Sequence, residues 1–83
     1  MLTEVAIRNA KPGSRERKLA DGAGLYLSVL PTGFKGWRWK YRIGGREKRL
    51  VIGPYPLISV KRARELRDDA RRQLLMGIDP GTA

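Results

Sequence analysis

The stretch WRWKYRI, Trp37 to Ile43, sets a cation at every second position, Arg38, Lys40 and Arg42, between aromatic and aliphatic residues. A row of guanidinium and ammonium groups at a spacing of two offers fixed positive charge and N–H donors with no acceptor, the equipment for recognising an anion. Other chemistry is poorly supplied. The chain has no cysteine and no histidine, which excludes thiolate and imidazole metal sites, Cys nucleophiles and His general bases. The remaining acids mostly sit beside cations, so neither an active site nor a cofactor is expected within this segment.

The charge balance names the class of anion. Eighteen Lys and Arg against 8 Asp and Glu leave a net charge of +10 on 83 residues, with a pI near 10.9. Such an excess on so short a chain favours a polyanionic partner, nucleic acid first and an anionic membrane surface second. The membrane alternative is weak, because no apolar run approaches the roughly 20 residues of a spanning helix and no basic helix shows a broad Trp/Leu/Phe face. The opening MLTEVAIRNAK is too polar for a signal peptide. Length and the 41% hydrophobic content suit one small domain without a deep cleft, and the missing cysteines permit a reducing, cytoplasmic location.

The cation row needs a scaffold, and alternation with a period of two is that of a half-buried strand. Gly44-Gly45 follows WRWKYRI as a two-residue hairpin loop, and REKRLVI, residues 46–52, returns. Such a turn pairs its flanking residues, which predicts Ile43 opposite Arg46, Arg42 opposite Glu47, Lys40 opposite Arg49, Trp39 opposite Leu50 and Trp37 opposite Ile52. Trp37, Trp39, Leu50 and Ile52 then share one face with Leu25, Leu27 and Val29 of an earlier strand, GLYLSVL at 24–30. Arg38, Lys40, Arg42 and Arg49 share the other with Glu47, Val51 and Tyr26. The tryptophans belong to a core and not to a base-stacking platform, since a sheet with one covering helix needs its largest apolar side chains there. Tyr41, opposite Lys48, is placed at the rim with its hydroxyl in water, and Tyr26 is placed where it could touch a sugar or phosphate.

The covering helix is VKRARELRDDARRQLLM, capped by Ser59 and striped by Ala63, Leu66, Ala70 and Leu74. Arg64 with Asp68 and Asp68 with Arg72 are predicted i,i+4 pairs on its surface. Gly77 and Asp79-Pro80 end it. A short helix begins at Thr3, with Val5, Ile7 and Ala10 leaning on the domain, and KPGSRERKLADG reads as a loop. In that loop Arg15, Arg17 and Lys18 are either solvated or in contact with phosphate. The expected fold is α+β: a three-stranded antiparallel meander packed on one face by a C-terminal helix, with a short N-terminal helix. The domain is placed at residues 1–78, with 79–83 as the start of a linker.

Lys40 opposite Arg49 is a like-charge cross-strand pair that costs stability unless Glu47 or an external anion relieves it. Together with the overall charge, this favours anion binding over mere solvation of the outer face. A small sheet can enter a major groove and aim alternate side chains at base edges. Arg38, Lys40, Arg42 and Arg49, with Lys35 and Tyr26, are therefore the candidate DNA-binding residues. The alternatives are a protein-interaction module and an RNA-binding domain.

The succession LADGAGLYLSVLPTG, WRWKYRI with GG, LVIGPYPLIS, AREL and LMGIDP resembles the N-terminal arm-type DNA-binding domain of P4-type prophage and genomic-island integrases, which are bacterial tyrosine recombinases. The resemblance runs from Leu2 to Pro80. It implies a sheet laid in the major groove of arm-type sites flanking the crossover region, and double-stranded DNA and other integrase protomers as partners, with no membrane and no small-molecule substrate. It further implies that a full-length protein attacks a DNA phosphate through a tyrosine without metal or ATP. Without histidine this segment cannot hold that family's catalytic set, so Tyr26, Tyr41 and Tyr55 are not the nucleophile.

Overall fold

A computed structural model describes residues 1–82. The elements run α1 (Glu4–Asn9), β1 (Arg17–Gly22), β2 (Leu25–Val29), β3 (Lys35–Ile43), β4 (Arg46–Tyr55) and α2 (Val60–Leu75). The strands form one antiparallel sheet in the order β1-β2-β3-β4. The class is α+β as expected, but the sheet has four strands instead of three. The strand missed is β1, which pairs Arg17 with Val29, Lys18 with Ser28, Leu19 with Leu27 and Ala20 with Tyr26. Its pattern misleads because the inward positions hold Leu19 and a carboxylate, Asp21, so apolar alternation fails where the strand is most constrained.

The Gly-Gly hairpin sets the β3–β4 register as predicted, with positive φ at Gly44 (57°) and Gly45 (76°). The pairs Ile43 with Arg46, Arg42 with Glu47, Lys40 with Arg49 and Trp39 with Leu50 all form. Farther out the count slips. A bulge between Trp37 and Arg38 sets Trp37 opposite Gly53, leaving Ile52 as the extra residue. Gly53 has φ +154°, and a Cβ there would come within 2.8 Å of Ile58, so the bend needs a glycine. Past the bulge β4 continues to Tyr55 instead of ending at Ile52, tolerating Pro54 because it is an edge strand.

The inner face collects Leu25, Leu27, Val29, Trp37, Trp39 and Tyr41, closed by Ala63 and Ala70 of α2 and Ile7 of α1. Of the predicted α2 stripe, Leu66 and Leu74 are only half-buried, and of the α1 residues Val5 is 55% exposed. Both indole N–H groups find backbone acceptors, Trp37 on Ile58 O and Trp39 on Ala23 O, each at 2.8 Å. Each buried tryptophan removes about 200 Å² from water, on the order of 5 kcal/mol as an upper estimate. Ser59 caps α2 by accepting from Arg62 N at 3.1 Å, and Thr3 caps α1 by accepting from Ala6 N at 3.1 Å. Gly77 (φ +80°) closes α2, donating to Leu74 O while Ile78 N reaches Gln73 O.

Two polar contacts tie the layers. Asp21, 4% exposed, accepts two bonds from Arg64 of α2, at 2.9 and 2.8 Å, and one from Leu2 N at 2.8 Å. The predicted surface pairs are accordingly replaced. Arg64 turns inward to Asp21, Asp68 pairs with its neighbour Arg67, and Arg72 pairs with Asp69. At the other end Asp79 accepts from Tyr41 Oη at 2.6 Å and Lys48 Nζ at 2.5 Å. Tyr41 is thus 6% exposed, with its hydroxyl on a carboxylate and not in water.

Candidate nucleic-acid interface

Pairing across all the strands fixes what the uncovered face of the sheet presents. Ala20, Tyr26, Arg38 and Val51 are successive partners from β1 to β4. Toward the hairpin the next pairs are Lys40 with Arg49 and Arg42 with Glu47. On the other side lie Lys18, Ser28, Gly36 and Pro54. The face thereby gathers Arg38, Lys40, Arg42 and Arg49, as their spacing requires, and adds Lys18 from β1, where the sequence predicts a loop. The signal for Lys18 was present in RKLADG, where Lys18 and Ala20 alternate with Leu19 and Asp21.

The electrostatics are lopsided. Lys40 meets Glu47 at 3.3 Å, with both side chains about half in solvent at 52%, which relieves the Lys40–Arg49 repulsion. Such an exposed pair contributes little to stability, about 0–1 kcal/mol. Among the described residues no acid pairs with Arg38, Arg42 or Arg49. Glu16 lies against this face: the Ser28 hydroxyl donates to its carboxylate. That bond, with the charges of Lys18, Arg38 and Arg49, holds the carboxyl below its ordinary range against the opposing effect of desolvation.

Two of the candidate residues are placed differently. Lys35 points to the α1 side, where Nζ donates to Ile7 O at 2.9 Å and Arg8 O at 3.0 Å, capping that helix's carbonyl end. Tyr26 faces outward by register yet is 5% exposed, its ring flanked by Lys18 Nζ at 5.7 Å from the centroid. Its hydroxyl and the Arg38 Nε are both buried without a hydrogen-bond partner among the described residues. Tyr26 is therefore the floor under the cations and not a free contact.

A basic sheet face backed by a helix invites comparison with known proteins. The family model described as the Arm DNA-binding domain matches residues 2–83. The chain belongs to this family. As an Arm DNA-binding domain it is 45% identical over 80 residues to the integrase of Shigella phage Sf6, covering 96% of this chain and 21% of that protein. The same figures hold for the prophage integrase IntS of Escherichia coli K12. The integrase of Enterobacteria phage P4 is 45% identical over 76 residues, covering 89% of this chain and 17% of the relative. The domain thus spans about a fifth of the length of these relatives. No helix among its described residues is long and apolar enough to cross a membrane.

Proposed function

We propose that this domain docks the outer face of its sheet in the major groove of arm-type sites, as the DNA-binding module of a site-specific tyrosine recombinase. It would deliver the recombinase's chemistry to double-stranded DNA during integration and excision of a prophage or genomic island, without contributing catalytic groups of its own. The observation that carries this reading is the cluster Arg38, Arg42 and Arg49, which form no ion pair among the described residues, on an uncovered sheet face with α2 behind it. A two-stranded ribbon or small sheet fits a groove about 12 Å wide, where alternate side chains meet base edges and phosphates. Asp79, fastened by Tyr41 and Lys48 on the opposite face, would direct the following chain away from DNA.

The test is a titration against the attachment-region arms of the same genetic element and against scrambled duplex at several salt concentrations. Preference for the arms supports the reading, and equal affinity for both removes the site-selective part of it. Assembly with other recombinase protomers is the second reading, favoured by the exposed Leu75, Met76 and Ile78 at the end of α2. Self-association without duplex binding at low salt would favour it, and preference for structured RNA would overturn both.

A further inference from the structure

The cations of the outer face differ in how they are held. Arg42 and Arg49 are exposed, and Lys40 is shared with Glu47. Arg38, on the interior strand β3, is half-buried between its cross-strand partners Tyr26 and Val51, with Nε buried and, among the described residues, no ion pair to an acid. A guanidinium whose stem is packed loses little freedom on binding and keeps its terminal N–H pair aligned, which suits the bidentate contact that arginine makes with a guanine edge. Val51 is the complementary anomaly. It is a branched aliphatic side chain 65% exposed beside the cations of the outer face. Folding draws little from it there, whereas a branched aliphatic group in the major groove can meet the C5 methyl of thymine.

Resting on the major-groove reading above, we infer that Arg38 and Val51 are the base-reading pair of this sheet, whereas Lys40, Arg42 and Arg49 hold phosphates. Arg38 takes O6 and N7 of a guanine, and Val51 packs on the methyl of a neighbouring thymine. Directly opposed residues in an antiparallel pair have Cβ atoms about 5 Å apart, between one and two steps of the base-pair rise of about 3.4 Å. The two contacts therefore fall on neighbouring base pairs. The site selected contains guanine and thymine at neighbouring steps, and buried Tyr26 sets the height of the arginine above the sheet.

The experiment is a selection from a duplex DNA library with a randomised central stretch, using the 83-residue chain and its variants. The wild type is expected to enrich neighbouring guanine and thymine. Arg38→Lys keeps the charge but not the fork, and should lose preference for the guanine by about ten- to a hundredfold. Replacing the selected thymine by deoxyuridine should weaken the wild type by about fourfold, the worth of one buried methyl, and should leave Val51→Ala unaffected. Lys40→Ala and Arg42→Ala should weaken selected and scrambled duplex by the same factor. Wild-type affinity of Arg38→Lys and Val51→Ala for scrambled duplex verifies that these two variants are folded. An unchanged consensus in both Arg38→Lys and Val51→Ala overturns the inference while leaving selective DNA binding intact. Uniform binding by the wild type with no consensus overturns both together.

Discussion

Asp21 does what no apolar residue in its place could. It sits at an inward strand position, 4% exposed, and is held below the ordinary carboxylate range chiefly by Arg64, with the Leu2 N–H and the charge of Arg67 adding to the effect. Removing one partner of such a pair strands the other, which for buried pairs costs about 3–5 kcal/mol. Arg64 keeps about a quarter of its side chain in solvent at 24%, so Asp21→Ala should fall at the low end, about 3 kcal/mol by urea unfolding. Trp39→Ala should cost about 3–5 kcal/mol in the same measurement, since it removes both a core ring stacked on Tyr41 and the bond to Ala23. Trp39 was legible because hairpin count and hydrophobic pattern agree on its face. Asp21 was not, because a lone acid among turn residues and cations carries no sign that its partner lies 43 positions away on α2. Arg64 misled in the complementary way, since Asp68 on the same helix is an equally good partner by spacing alone.

Elements meet where side chains have no room. Gly24 (φ +89°) lies where the β1–β2 turn touches β3, and a Cβ there would stand 2.5 Å from Lys40 O and 3.0 Å from the Trp39 indole nitrogen. Gly33 has a similar φ, +94°, but nothing within 4 Å. The pair separates two effects. Gly33→Ala should carry only the left-handed conformational cost, about 1–2 kcal/mol. Gly24→Ala should exceed it, because backbone must also shift and the Gly24 O to Lys40 N bond at 2.9 Å is strained with it. Thermal unfolding of the two variants measures the difference, and equal losses would show that the β1–β2 turn is not pinned to β3. Helix caps, the hairpin register and the inner-face stripe of β2 were all legible because each follows a local rule. The bulge at Ile52 was not, since a connector rich in Gly and Pro gives no cue that Gly53 yields to Ile58 from beyond the strand.

The whole molecule separates two jobs onto two faces. Tyr41 and Lys48 clamp Asp79 on the helix side, lowering its carboxyl to about 2, through the bond from Lys48 first and Tyr41 second. Because that value lies below the ordinary one for Asp, about 3.9, the clamp is complete above the ordinary range and is lost as pH falls through about 2. An NMR titration should show the Tyr41 ring signals moving in that window, and Asp79→Asn should flatten the response. Asp79→Asn should leave DNA affinity near neutral pH unchanged, since the clamp and the basic face lie on opposite sides of the sheet. Charge divides the same way. On α2 the cations are interleaved with acids, in the pairs Arg62–Glu65, Arg67–Asp68 and Arg72–Asp69, whereas among the described residues Arg38, Arg42 and Arg49 form no ion pair. Net charge of +10 steers any polyanion toward the protein, but only cations seated on phosphates release counterions and enter the salt dependence. If Lys40, Arg42 and Arg49 are those cations, log K should fall against log salt with a slope of about −2.7, roughly −0.9 for each. Arg42→Ala should then reduce the magnitude of the slope by about 0.9, and Arg62→Ala, on the far helix, should leave it unchanged. Fluorescence anisotropy at several salt concentrations reads both, and equal slope changes in the two variants would mean that DNA wraps the helix as well as the sheet.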